Sequence, residues 1–409
     1  MEQNIPAWLD EALLAAALQG GEGKEPRVKV AHFTAESALP PGSNYSSHIF
    51  RVRVVYKVGD SPLEHSASLI VKVPINEGVL KEVSEHLDFF SREPEMYRDR
   101  LTKMSKKVNQ EFAPTYFYCP FKNGLILEDL KSEGYVMGDK KTQLDFQHCQ
   151  FVFRSLAKFH AASVACCRDD TTFLDGIGDE IFYVEQGPMV EDSKLLITTF
   201  VKHFINSLDD IDVDKDFKDF LQSRSEKMWN AGVVASTPKT YGLNVLNHGD
   251  LWFSNLMFKY SCGDVIDVKF VDFQRTRFCS PAVDLTYFMW TSGDEEVRGS
   301  RQKELYNLYR HTLNSTLEQL GCPERLTEEE LQADLESMTD FILLNISSAV
   351  PLMVAGPDDA ITMGDISFQN LGSDKVTEKF KRVFNGKIFK AMIPTLVKQF
   401  ENWRKSIGK

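Results

Sequence analysis

The chain has little that would tie it to an oxidising compartment, a polyanion or a bilayer. Its seven cysteines are odd in number and include no C-x-x-C pair, which argues against a disulfide framework and a zinc ribbon. Positive charge is in the minority, 47 Lys and Arg against 59 Asp and Glu for a net charge of −12, so nothing favours broad attraction to nucleic acid or anionic lipid. Any anionic ligand must be met by locally placed cations. The most apolar late run, "FILLNISSAVPLMVAG", is short and interrupted by Asn345 and Pro351, too broken to span a bilayer. No signal peptide is expected from the first residues either: Glu2 stands where positive charge would, and Asp10 and Glu11 interrupt the apolar residues that follow. This segment predicts an amphipathic helix with Pro6 in its first turn. The acidic run "LDDIDVDKDFKD" lacks a calcium loop's glycine and closing glutamate, having Lys215 and Leu221 there, and reads as a solvated linker before a helix. No internal repeat is present. The expectation is a soluble, cytoplasmic protein with no nucleic-acid partner, no membrane partner and no obligate protein partner indicated.

What is present is enough apolar residue, 43% of 409, for one large or two ordinary domains. From about residue 27, "RVKVAHF", "HIFRVRVVYKV" and "ASLIVKVP" alternate as three strands of an antiparallel meander, and "GLILEDL" adds a fourth apolar strand ending on acids. Beyond residue 130 helical spacing takes over, as in "TQLDFQHCQFVFRSLAKFHAAS", and Thr327 and Glu330 have capping-box spacing. One β interruption lies inside this helical part: "NLMFKY", the turn "SCGD" and "VIDVKFVDF" form a hairpin. In its second strand Ile266, Val268 and Phe270 are expected on one buried face with Asp272 in the same alternation.

The chemistry gathers at this hairpin. Folding it brings Asn255 and Asp272 to one end, where an amide and a carboxylate oxygen could share a hard cation such as Mg²⁺. Asp250 precedes them in "NHGDLWFSN", and its spacing to Asn255 matches the D-x-x-x-x-N of phosphoryl-transfer loops. Its natural task is to accept a hydroxyl proton. The lysine such chemistry needs is offered by Lys72 in "LIVKVP". His248 and Asp284 are read as structural supports of the loop, and His160 as packing. Trp252, Phe253, Phe273, Tyr287 and Trp290 are either core or the lining of an apolar acceptor pocket.

Together, "HGDLWFSNLMF", "KFVDFQ", "SPAVDLTYF", "LILEDL" and "LAKFHAAS" resemble the ecdysteroid kinase-like family, which is related to choline kinases and aminoglycoside phosphotransferases. The resemblance implies an α+β, bilobal protein-kinase-like fold, with a small β-rich N-lobe over residues 1–127 and a mainly helical C-lobe over residues 128–409. It implies an ATP-dependent transfer to a hydroxyl of an ecdysteroid or another hydrophobic alcohol, including xenobiotics in detoxification. Asp250 resembles the family's catalytic aspartate, Asn255 and Asp272 its magnesium ligands, and Lys72 its phosphate lysine. Backbone groups of Glu128, Asp129 and Leu130 would hold adenine, and Ser43, Asn44, Tyr45 and Ser46 resemble its nucleotide loop, with Gly42 as that loop's sole glycine. The partner of Lys72 is Glu93, or Glu95 if Pro94 keeps Glu93 out of a helix. Gln274 and the short run to the next segment leave no room for a protein kinase's activation loop. A choline or ethanolamine kinase and a non-catalytic ligand carrier are the rival readings.

Overall fold

In the computed structural model, described for residues 6–38, 47–75, 78–79, 81–82, 90–138, 142–356, 359, 361 and 366–407, a β-sheet region precedes a helical one. Strands β1 (Val28–Ser37), β2 (Ser47–Val58), β3 (Glu64–Pro74), β4 (Tyr116–Phe117) and β5 (Leu125–Glu128) form an antiparallel sheet in the order β1-β2-β3-β5-β4. Alternation puts Val52, Val54, Leu69, Val71 and Ile126 under one face, where helix α1 (Glu11–Gln19) covers them with Leu13, Leu14 and Ala17. Asp10 caps α1 by accepting from the Leu13 amide at 2.9 Å. Pro6 therefore stands ahead of the helix rather than in its first turn, accepting from the Leu9 amide in a preceding turn.

Against the other face lies helix α2, built from Arg92–Glu95, a π-helical turn Met96–Arg100 and Leu101–Val108. Met96, Tyr97, Leu101 and Met104 join Leu125 and Leu127 in the large core that continues through the helical region. The long helix α3 (Phe146–Asp169) runs through that core, capped by Asp145, and begins at Phe146 because the cap residue itself is extended. Phe153 and Phe159 are fully buried along it, each worth about 1.5–3 kcal/mol of burial. The predicted capping box at Thr327 and Glu330 is present. Among the described residues no single helix is long and apolar enough to cross a membrane; Glu328–Ser337 and Thr339–Val354 pass that test only as a pair bent by 49°.

The hairpin is β8 (Leu256–Ser261) with β9 (Asp264–Phe270), joined by a third strand, β6 (Tyr135–Met137), that the sequence pattern did not predict. One expectation fails within it. Pairing shifts so that Lys259 opposes Asp267 while Tyr260 opposes Val265, and Ile266 is left over as a bulge, 50% exposed. Val265 takes the inward place, and Val268 and Phe270 keep theirs. A second ribbon, β7 (Val245–Asn247) with β10 (Arg277–Cys279), clamps both ends of the segment between Asn247 and Arg277.

Candidate active site

Two strand ends and one helix start converge here. The hairpin sets Asn255 beside the chain leading to Asp272, since the Val271 amide donates to the Asn255 carbonyl at 3.0 Å. Asp272 lies just beyond β9 with φ +71°, a left-handed conformation costly for a residue with a Cβ and typical of functional turns. Its Oδ1 accepts from Lys72 Nζ at 2.9 Å. Lys72, in the third strand, also donates to Glu93 Oε2 at 2.7 Å, so one buried ammonium joins the sheet, α2 and the hairpin. Pro94 does not prevent this, because it falls in the first turn of α2, where the amide it lacks has no helical partner to lose. Glu95 instead faces Arg98 on the surface at 3.2 Å. Burial pushes the Glu93 carboxyl up and Lys72 pulls it back; Lys72 itself is raised despite burial by Asp272 and Glu93, which keep it an ammonium.

Asp250 sits on the loop after β7. Its Oδ1 accepts from the Tyr287 hydroxyl at 2.7 Å and its Oδ2 from Asn255 Nδ2 at 3.1 Å. Asn255 Nδ2 also donates to the Asp250 carbonyl at 2.8 Å, which leaves Asn255 Oδ1 with no hydrogen bond among the described residues. Asp272 Oδ2 is likewise unengaged there. These free oxygens are the kind of donors a small hard cation takes. No group of three or more His, Cys, Asp or Glu converges as a metal site among the described residues, so any such cation would rest on this amide and carboxylate with ligand oxygens completing its shell. Burial raises the Asp250 carboxyl above its ordinary value; Arg275 opposes the shift, Asp272 adds to it, and the Tyr287 hydrogen bond and His248 oppose it.

The loop is held from behind. Asp284, fully buried, accepts from the amides of His248 at 2.6 Å and Gly249 at 2.9 Å. His160 donates to the same carboxylate from Nε2 at 3.2 Å and receives the Tyr309 hydroxyl on Nδ1 at 2.7 Å, which corrects its reading as mere packing. His248 turns Nε2 to the Val271 carbonyl at 3.1 Å and accepts the Asp250 amide on Nδ1 at 3.3 Å, and burial lowers its basicity. Gly249, at φ +80°, cannot carry a side chain, since a Cβ would lie 1.8 Å from the Arg275 carbonyl oxygen. Arg277 completes the frame by donating to the Gly249 carbonyl at 2.8 Å and to Glu180 at 2.6 Å. Neither Arg277 nor Glu180 stood out in the sequence, although two arginines directly after the hairpin acid were a cue.

Of the five aromatics, Trp252, Phe253, Phe273 and Trp290 are core; Trp252 packs on Phe253, Phe273 on Tyr97, Phe159 and His248, and Trp290 on Phe400 and Trp403. Tyr287 is the one that reaches Asp250. At the end of β5, the Asp129 carboxylate is committed to Arg51 at 2.7 Å and Ser68 at 2.8 Å, while the Leu130 amide donates to no described acceptor. Ser43, Asn44, Tyr45 and Ser46 lie outside the described residues.

The ecdysteroid kinase-like family model matches residues 41–322. The chain belongs to that family. Its members are kinase-like small-molecule phosphotransferases. Similar solved structures include spectinomycin phosphotransferase in complex with ADP and spectinomycin, at 15% identity and TM-score 0.47 over 90% of this chain and 92% of that one. Choline kinase from Cryptosporidium parvum is 12% identical at TM-score 0.44, covering 99% of this family member and 97% of its own chain. Plasmodium vivax ethanolamine kinase is 15% identical at TM-score 0.39, covering 88% and 84%. None of the curated proteins searched matches the chain.

Proposed function

We propose that this protein transfers the γ-phosphoryl group of ATP to the hydroxyl of an ecdysteroid or another hydrophobic alcohol, xenobiotic alcohols included. The observation that carries the reading is the convergence of Lys72 with Glu93 and Asp272, and of Asp250 with Asn255, at one hairpin end where the Val271 amide donates to the Asn255 carbonyl. The unengaged Leu130 amide supports an adenine contact at the end of β5. Lys72 holds the phosphates, and Asn255 Oδ1 with Asp272 are the oxygens that would hold Mg²⁺. That ion, when bound, would neutralise charge on the transferred group. Asp250 orients the alcohol and receives its proton while the alcohol oxygen bonds to the γ-phosphorus and the bond from phosphorus to the β–γ bridging oxygen breaks, releasing ADP.

A screen of metabolite extracts with ATP and Mg²⁺, read by mass for products gaining one phosphate, tests this. Tight ligand binding without ATP consumption over a broad alcohol panel would instead identify a carrier. Asp272→Ala is expected to weaken Mg²⁺-dependent ATP binding by about tenfold or more, because Lys72 keeps Glu93 but the hairpin carboxylate is gone. Calorimetry with and without Mg²⁺ measures it, and equal affinities in parent and variant would remove Asp272 from this role.

Tyr287→Phe tests the base. The Tyr287 hydroxyl stabilises the Asp250 carboxylate, so its loss raises that carboxyl further. A base works above its pKa and fails as pH falls through it, so the acid limb of the kcat profile moves to higher pH. An unmoved limb would mean that Asp250 does not limit the rate there.

A further inference from the structure

One cation next to Asp250 has no carboxylate of its own. Arg275 follows Asp272 by three positions, and its carbonyl oxygen packs against the Gly249 backbone beside the loop that presents Asp250. Its charged and polar neighbours are Tyr183, Asp250, Glu180 and Tyr287, whereas Lys72 is surrounded by Asp272 and Glu93. The two cations therefore draw on different acids, Asp272 and Glu93 for Lys72 and Asp250 and Glu180 for Arg275. The Arg275 guanidinium lies 5.5 Å from the Phe182 ring centre and 5.9 Å from that of Tyr183. Both nearby acids are already engaged. Glu180 pairs with Arg277 and accepts the amides of Phe182 and Tyr183 at 2.6 and 3.1 Å, and Asp250 accepts from Tyr287 and Asn255. Among the described residues Arg275 makes no ion pair, and it is only partly buried. A partly desolvated guanidinium beside the adjoining rings of Phe182 and Tyr183, with the Tyr183 hydroxyl taking one of its donors, keeps the rest of a planar fork suited to an oxyanion.

We propose that Arg275 selects the acceptor: the alcohol phosphorylated here has an apolar body and carries an oxyanionic group, such as a carboxylate or sulfate, that the guanidinium grips while the hydroxyl faces Asp250. The inference rests on the phosphotransferase reading above and narrows it from ecdysteroids, which carry no oxyanion, to the other hydrophobic alcohols. The same charge works against quaternary-ammonium alcohols, which separates this site from one built for choline.

The test compares kcat/KM, with ATP and Mg²⁺, for 4-(hydroxymethyl)benzoate, 4-(hydroxymethyl)phenyl sulfate, benzyl alcohol and 4-(hydroxymethyl)benzyltrimethylammonium. The parent is expected to favour an anionic probe over benzyl alcohol by about ten- to a hundredfold, and the cationic probe to be poorest. The better of the carboxylate and sulfate probes identifies the oxyanion. Arg275→Leu should bring the anionic-to-neutral ratio to about one, and Arg275→Lys should keep part of it. A ratio near one in the parent, a ratio that survives Arg275→Leu, or an equal loss on every probe would overturn the proposal. Calorimetric binding of the anionic probes to parent and Arg275→Leu, with a non-hydrolysable ATP analogue, reads the preference without turnover. If no probe is phosphorylated but this binding is lost in the variant, the kinase reading fails and the anion site stands; binding unchanged in the variant sinks the anion site. Melting curves identify a variant that fails to fold, in which case Arg275→Lys alone decides.

Discussion

Asp250→Ala is expected to lower kcat by about 10²–10⁴-fold while ATP affinity stays close to that of the parent. The two effects separate because the carboxylate lies next to Tyr287 and Arg275, whereas Lys72 draws its partners from Glu93 and Asp272. The loop should hold its course without the side chain, since Asn255 Nδ2 keeps its bond to the residue 250 carbonyl and Asp284 keeps the amides of His248 and Gly249. A loss of turnover would then report chemistry rather than collapse. Pre-steady-state phosphoryl transfer and calorimetric ATP binding on the same preparation would measure both. Turnover within tenfold or so of the parent would mean that Asp250 is not the proton acceptor.

What could be read from the sequence was what is local. Period-two alternation marks β1 to β3 and β5, and helical spacing marks α3, because each element answers mainly to its own apolar face. The hairpin turn at Cys262 and Gly263 and the short spacing from Asp250 to Asn255 are also local, which is why Asp250, Asn255 and Asp272 could be singled out together. The extra residue at Ile266 was not legible, since a bulge depends on what the partner strand and α3 demand, not on the strand's own pattern. Nor was the role of His160, whose partners Asp284 and Tyr309 lie 124 and 149 residues away and meet it only in the folded core. The choice between Glu93 and Glu95 needed the helix start to be located, because Pro94 is harmless in a first turn and disruptive one turn later. Aromatic residues near the loop were ambiguous for the same reason: Phe273 and Tyr287 look alike in sequence, yet one is enclosed and the other donates to Asp250.

Asp284→Ala is expected to cost about 3–5 kcal/mol of folding stability, the largest such effect at the site. The carboxylate is fully buried and accepts three hydrogen bonds, so truncation leaves two backbone amides and the His160 Nε2–H without acceptors in the core. His160 cannot compensate by ionising, because burial already lowers its basicity and its Nδ1 accepts the Tyr309 hydroxyl. Burial alone would raise the Asp284 carboxyl, but the bonds from His160, its charge interaction with His160 and His248 and the Gly249 amide together hold it below the ordinary carboxylate value. An acid whose folded pKa is depressed contributes stability above its unfolded pKa and loses it as pH falls through the folded value. Asp284→Asn should therefore lose less than Asp284→Ala at neutral pH, since its amide oxygen still accepts, and should flatten the acid limb of the stability curve. Urea unfolding of parent and both variants between pH 3 and pH 7, roughly the span over which carboxylates titrate, measures both effects. If Asp284→Ala unfolds at the parent's midpoint, the loop is held by Arg277 and Asn255 alone, and the buried acid is not what fixes the position of Asp250.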